Sequence, residues 1–202
     1  STKSEPQGLD ASAIKADFPL LQREVNGHQI VYLDSAATSQ KPQVVLDVLN
    51  SYYEEINANV HRGAYKIAEQ ATLAMEDARA SVGQFIGAKS DREIIFTKNA
   101  TEAINLIAYS WGRKNLNEGD TVLITSLEHH ANIVPWHQLV AEKGIELRWI
   151  PLTEDGQLDL DNLDALMDGV KLVSVAAVSN VLGTVNPIKE ITNAAHQAGA
   201  LC

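Results

Sequence analysis

Several short stretches of this sequence carry side chains able to hold an anion or work on a flat ring. Thr97-Lys98-Asn99-Ala100-Thr101-Glu102 joins a β-like run, Glu93-Ile94-Ile95-Phe96, to a helical run that starts at Ala103. Asn99 can cap that helix, and Glu102 three residues on can reach back, as in a capping box. The first N–H groups of a helix have no acceptor inside it and carry partial positive charge. A strand feeding such a turn is a ready anion site. Thr101 adds a hydroxyl donor. Taken alone, this turn is read first as ordinary capping, and only the rest of the chain favours a phosphate.

Two further stretches follow β-like runs. Ser126-Leu127-Glu128-His129-His130-Ala131-Asn132 offers paired imidazoles, and Ser179-Asn180-Val181-Leu182-Gly183-Thr184 offers a carboxamide. A histidine there can stack neutral on a flat cofactor and move protons near neutral pH. It can equally be packed and hydrogen-bonded. Neither His129 nor His130 belongs to an HExxH pattern, so no metal is expected. Taken by itself Asn180 is read first as a turn residue, since Ser-Asn invites a turn. In the loop Asn57 to Gly63, Arg62 beside His61 is either a solvated charge or a grip for a carboxylate or a neighbouring subunit.

These residues need a scaffold, and the chain alternates in a way that supplies one. Residues 1–9 read as a leader, 10–17 as a short helix and 18–21 as an apolar docking segment. A strand is expected over 30–33, a helix after Pro42 and a long helix over 64–85. The long helix has an Ala-rich face (Ala68, Ala71, Ala74, Ala78), and Gly87 stands where a C-cap belongs. From there strands near 93–96, 121–125, 145–150 and 171–178 alternate with helices near 100–115, 133–143, 160–167 and 187–198. Residues 200–202 begin another strand. Alternation of this kind implies an α/β fold, a mostly parallel sheet layered with helices. In such sheets ligands bind beyond the carboxyl ends of the strands, where these loops lie.

Composition narrows the function further. The 202 residues carry a net charge of −10, which argues against a nucleic-acid footprint or an anionic membrane surface as partner. A hydrophobic share of 45% is enough for a buried core. No apolar run approaches a membrane span and the first residues lack a signal-peptide pattern, so a cytoplasmic protein is expected. The single cysteine, Cys202, excludes an internal disulfide and is read as a small buried hydrophobe.

Taken as a set, the stretches Tyr32 to Pro42, Asn59 to Gly63, Asn99 to Asn105, Glu128 to Asn132 and Ser179 to Thr184 resemble the SufS-type (group II) cysteine desulfurases. These belong to the class-V aminotransferase family of pyridoxal-phosphate (PLP) enzymes, fold type I. The His-His form of the Glu128 stretch and the His61-Arg62-Gly63 loop resemble this group rather than the IscS group. The resemblance implies that Ala100, through its N–H, and Thr101 hold the PLP phosphate. It implies that His129 stacks on the pyridine ring as an acid/base, and that Asn180 bonds the phenolic oxygen. Ala36 and Ala37 would line the substrate pocket, with His61 and Arg62 near the active site or a dimer boundary.

The implied reaction converts L-cysteine to L-alanine, leaving sulfur as a protein persulfide for iron–sulfur cluster assembly. A homodimer and a SufE-like or scaffold sulfur acceptor are the implied partners. One departure is large. The aspartate, Schiff-base lysine, nucleophilic cysteine and carboxylate-binding arginine of the family find no matching position here. Residues 1–29 are therefore expected to be a leader with a short helix. Residues 30–202 are expected to form the N-terminal part of the PLP-binding large domain, incomplete and inactive alone. A selenocysteine lyase, another class-V lyase, and a non-enzymatic scaffold with the same fold are the alternatives.

Overall fold

The computed structural model describes residues 9–202, so the expected leader lies almost entirely outside the described residues. The chain divides into two compact units, Ser1–Ile95 and Phe96–Cys202.

In the first unit, Asp10 caps helix α1 (Ala11–Ala16), its carboxylate accepting from the N–H groups of Ser12 and Ala13, both at 3.1 Å. A single tight turn, Pro19–Gln22, follows where an apolar segment was expected. The chain then makes a small antiparallel hairpin, β1 (Glu24–Val25) with β2 (His28–Gln29). Asn26 and Gly27 turn it at φ 55° and 76°, the two left-handed residues that such a hairpin needs. Residues 30–33 form no strand, contrary to expectation; Ile30 N reaches back to Arg23 O at 3.3 Å. Helix α2 (Gln43–Ser51) starts after Pro42, which stands just outside the helix rather than in its first turn. A wide turn, Tyr52–Ile56, continues it, and the long helix α3 (Lys66–Ile86) packs against that turn. Only part of the alanine face of α3 is used for packing. Ala68 and Ala71 are buried, while Ala74 and Ala78 are exposed. Gly87 ends the helix at φ 72°, its N–H bonded to Gln84 O and that of Ala88 to Gly83 O, the expected left-handed cap.

The second unit holds the sheet. Helix α4 (Ala100–Ile107) runs through a wide turn, Ala108–Gly112, into the short α5 (Arg113–Asn115). The expected strand over 93–96 is instead a tight turn, Asp91–Glu93, followed by residues that belong to no strand. Strand β3 (Thr121–Thr125) is buried along its whole length. It lies between β4 (Glu146–Ile150) and β5 (Val170–Ser174), parallel to both, in the order β4-β3-β5. Helices α6 (Val134–Lys143), α7 (Leu163–Leu166) and α8 (Ile188–Gln197) layer on the strands. Leu201 adds a parallel bridge to Leu172 beside β5. Cys202 is exposed rather than buried.

Alternation along β3 feeds two cores. Leu123 points into a cluster with Ile150, Val173 and Ile191, while Val122 and Ile124 point into another with Trp136, Leu139 and Leu116. At the outer end of the layers, Arg113 grips Glu142 of α6 with two hydrogen bonds, at 2.9 and 3.0 Å, and lies over the Tyr109 ring. The hydrogen bond from Arg113 holds the Glu142 carboxyl below its ordinary value. A carboxylate lowered in this way stabilises the fold above the ordinary carboxylate range, and that contribution disappears as pH falls through the depressed value. Both groups are exposed, so the effect is small.

Two outcomes check this architecture. Leu123→Ala should lower stability by about 2–5 kcal/mol in urea unfolding, because the central strand cannot collapse onto the cavity. Glu142→Gln should lower stability slightly near neutral pH and leave it unchanged in strong acid, where the wild-type carboxyl is neutral too, so the acid side of the stability–pH curve flattens. A parallel shift of the whole curve would contradict the assignment.

Candidate active site

Three parallel strands send their carboxyl ends to one edge of the sheet. The loops after β3 and β5 therefore emerge side by side. His129 stands in the first and Asn180 in the second.

The start of α4 is built as a cradle. Asn99 Oδ1 accepts from Glu102 N at 2.9 Å, and Glu102 Oε2 accepts from Lys98 N at 2.6 Å. The capping box is present in a shifted form, since Glu102 reaches the residue before the cap. These bonds leave the N–H groups of Ala100 and Thr101 with no acceptor among the described residues. Both residues are exposed, and so is the Thr101 side chain. Helix α4 packs against the turn His130–Asn132, which brings its element and the histidine loop together.

His129 caps that turn. Its Nδ1 accepts from Ala131 N at 3.1 Å, so the neutral ring carries its proton on Nε2. The His130 ring meets it edge-on, with centroids 6.3 Å apart. Asn180 is exposed near the tip of a hairpin that Val178 and Val185 close. Ser179 Oγ braces the tip by accepting from Val181 N and Leu182 N at 3.3 and 3.2 Å. Thr184 Oγ1 ties the hairpin to Gly156 O at 3.0 Å.

Sequence reasoning passed over the residues that join the two loops. Glu128 Oε1 accepts from Thr125 Oγ1 at 2.8 Å and from Ala176 N, at the end of β5, at 2.9 Å. Its Oε2 accepts from Asn132 Nδ2 at 2.7 Å. Asn132, buried, offers its Oδ1 to Ser174 Oγ at 2.6 Å and to the Trp136 indole N–H at 3.0 Å. Ala176 O accepts from Asn186 Nδ2 at 2.7 Å. The signal was a glutamate directly beside the histidine pair, with an asparagine four residues on, the spacing of neighbours across one helical turn.

The remaining expected site residues belong to the first unit. Ala36 and Ala37 lie exposed in a turn where Ala37 N and Thr38 N both reach Asp34 O at 3.1 Å. His61 adopts a left-handed backbone, φ 67°. Its N–H donates to Thr72 Oγ1 at 3.0 Å and its Nε2 lies 3.1 Å from Glu76 Oε1. Arg62 is exposed beside it. Gly63 is required by space, since a Cβ there would sit 2.2 Å from the Ala68 Cβ. Among the described residues no three His, Cys, Asp or Glu side chains gather as a metal-holding group. No helix among them is long and apolar enough to cross a membrane.

The sequence matches the family described as Aminotransferase class-V over residues 31–202. The chain belongs to the class-V aminotransferase family. Its α/β architecture with the parallel β4-β3-β5 sheet is the fold of that family. A protein of Synechocystis sp. called a probable cysteine desulfurase is 52% identical over 191 residues, which is 94% of this chain and 46% of that protein. The apo structure of a cysteine desulfurase from Thermococcus onnurineus superposes with a TM-score of 0.86 at 36% identity, covering 94% of this chain and 46% of that one. The cysteine desulfurase CsdA of Escherichia coli gives 0.81 at 33% identity, covering 96% and 48%. The class-V chain thus spans about half the length of the curated relatives it matches.

The two asparagines provide a test of the local geometry. Asn99→Ala removes one cap and should cost about 1 kcal/mol. Asn132→Ala strands Trp136 Nε1, Ser174 Oγ and one arm of Glu128, and should cost on the order of 3 kcal/mol. Chemical denaturation of the two variants side by side would refute the network if the order were reversed.

Proposed function

We propose that this chain is the N-terminal, cofactor-holding portion of a PLP-dependent cysteine desulfurase, with residues 30–202 forming part of its large domain. What carries the reading is the pair of unpaired N–H groups at Ala100 and Thr101, set at a helix start in a chain about 50% identical to proteins called cysteine desulfurases. A phosphate group is an anion with several acceptor oxygens, and two free N–H groups with a neighbouring hydroxyl suit it. The residues present therefore fit PLP. Bound there, PLP would supply an electron sink for the bonds at the substrate α-carbon.

The chain's own residues would do the following. Ala100 N–H, Thr101 N–H and Thr101 Oγ1 donate to the phosphate, aided by the α4 dipole. The Glu102 carboxylate is turned back onto Lys98 N, its Oε2 accepting at 2.6 Å. His129 lays its ring against the cofactor and presents Nε2–H as a donor, because Nδ1 is committed to Ala131. The exposed Asn180 amide donates to the phenolic oxygen. Ala36, Ala37, His61 and Arg62 serve the substrate side of the reading, and L-cysteine is the substrate. The His129-His130 pair and the His61-Arg62-Gly63 loop support the SufS-type group. A cytoplasmic homodimer delivering persulfide sulfur to an acceptor for iron–sulfur assembly follows from that group. No lysine of these 202 residues stands in a matching context for holding the cofactor covalently, so turnover belongs to a longer polypeptide.

The test is made on the full-length protein. It should bind PLP with a visible absorption band and form L-alanine from L-cysteine, one per sulfur released. Thr101→Val should weaken PLP binding roughly tenfold, the worth of a hydrogen bond to a charged group, without unfolding the protein. A full-length protein that binds no PLP would end the reading.

A further inference from the structure

The two loops that bear His129 and Asn180 meet at one carboxylate, and the chemistry there admits no substitute. Three donors converge on Glu128: a hydroxyl, a backbone N–H and a side-chain amide. A carboxylate is acceptor-only and can receive all of them. A glutamine would turn N–H groups toward Asn132 Nδ2, itself a donor. Asn132 cannot flip to relieve this, because its Oδ1 already holds Ser174 and Trp136.

The clamp acts on both sides of the site. Asn132 N donates to His129 O at 2.8 Å, so the histidine is pinned by its own carbonyl and by the residue before it. Across the sheet, Glu128 holds Ala176 N, and Asn186 holds Ala176 O. Asn186 N also donates to Ala177 O at 2.9 Å, closing the base of the hairpin that carries Asn180. The carboxylate therefore lies between the frame of the imidazole and the frame of the carboxamide.

We infer that Glu128 is a positioning residue: by joining the β3 loop to the end of β5 it sets the spacing between His129 and Asn180, and through them the tilt of the flat cofactor. This rests on the PLP reading above. A structural brace alone would change stability and leave the environment of each bound cofactor untouched. A positioning residue changes that environment as well.

The experiment uses the full-length enzyme, wild type, E128Q and S174A, loaded with PLP. The readouts are far-ultraviolet melting, the PLP dissociation constant, and the visible circular dichroism per bound cofactor across pH. E128Q should bind PLP about tenfold more weakly, the scale of one lost charge-assisted hydrogen bond, and its visible dichroic band should change in intensity or pH midpoint. S174A, which removes only the outer support of Asn132, should move the band the same way and less. A wild-type band with unchanged bands in both variants overturns the inference while leaving the PLP reading intact. If E128Q does not fold, S174A decides in the same manner. Absence of any cofactor band in the wild type would instead defeat the PLP reading itself.

Discussion

Burial of β3 on every side is the constraint from which the second unit follows. All five of its residues are hidden, and none can be satisfied by solvent. Its backbone must bond strands on both edges, and its side chains must meet a packed layer on both faces. β4 and β5 supply the edges, and the two apolar clusters supply the faces. Because both neighbours run parallel to it, each must be reached by a crossover, and every crossover leaves from the same edge. The gathering of loops there is a result of topology before it is a result of chemistry.

Topology brings the loops close but does not fix their separation. That is done by polar atoms placed where water is scarce. Thr125, the last residue of β3, is buried and donates to Glu128, and Asn132 is buried and spans Glu128, Ser174 and Trp136. Each of these groups would be costly alone and is stabilising only with its partners in place. A loop braced in this way keeps its shape without a ligand, which lowers the ordering cost when one binds.

Local signals in the sequence are sufficient wherever the structure is local. Asn99 with Glu102, Asp10 before α1 and Gly87 after α3 each mark a helix end through bonds made within a few residues, and each appears in the fold. Residues 30–33 and 93–96 have strand-like composition, yet a strand exists only as part of a ladder, and neither segment is assigned to a strand among the described residues. The hairpin at 24–29 was legible in Asn26-Gly27 and was missed because its strands are too short to show alternation. Cys202 is exposed although its type favours burial. For the site, the residues named from the resemblance sit exposed at the start of α4 and on loops and turns. Glu128 and its partners were given no role, because their importance lies in bonds between segments far apart in the chain.

The left-handed backbone at His61 has an evolutionary consequence. A residue with a side chain costs on the order of 1–2 kcal/mol in that region relative to a relaxed conformation, and glycine almost nothing. Selection for thermal robustness alone would drift this position toward glycine or asparagine. What favours a side chain there is the imidazole contact with Glu76, its Nε2 3.1 Å from Oε1. A glycine at this position would relax the backbone and release Glu76 at the same time, so the two effects oppose one another in any heat-selected variant.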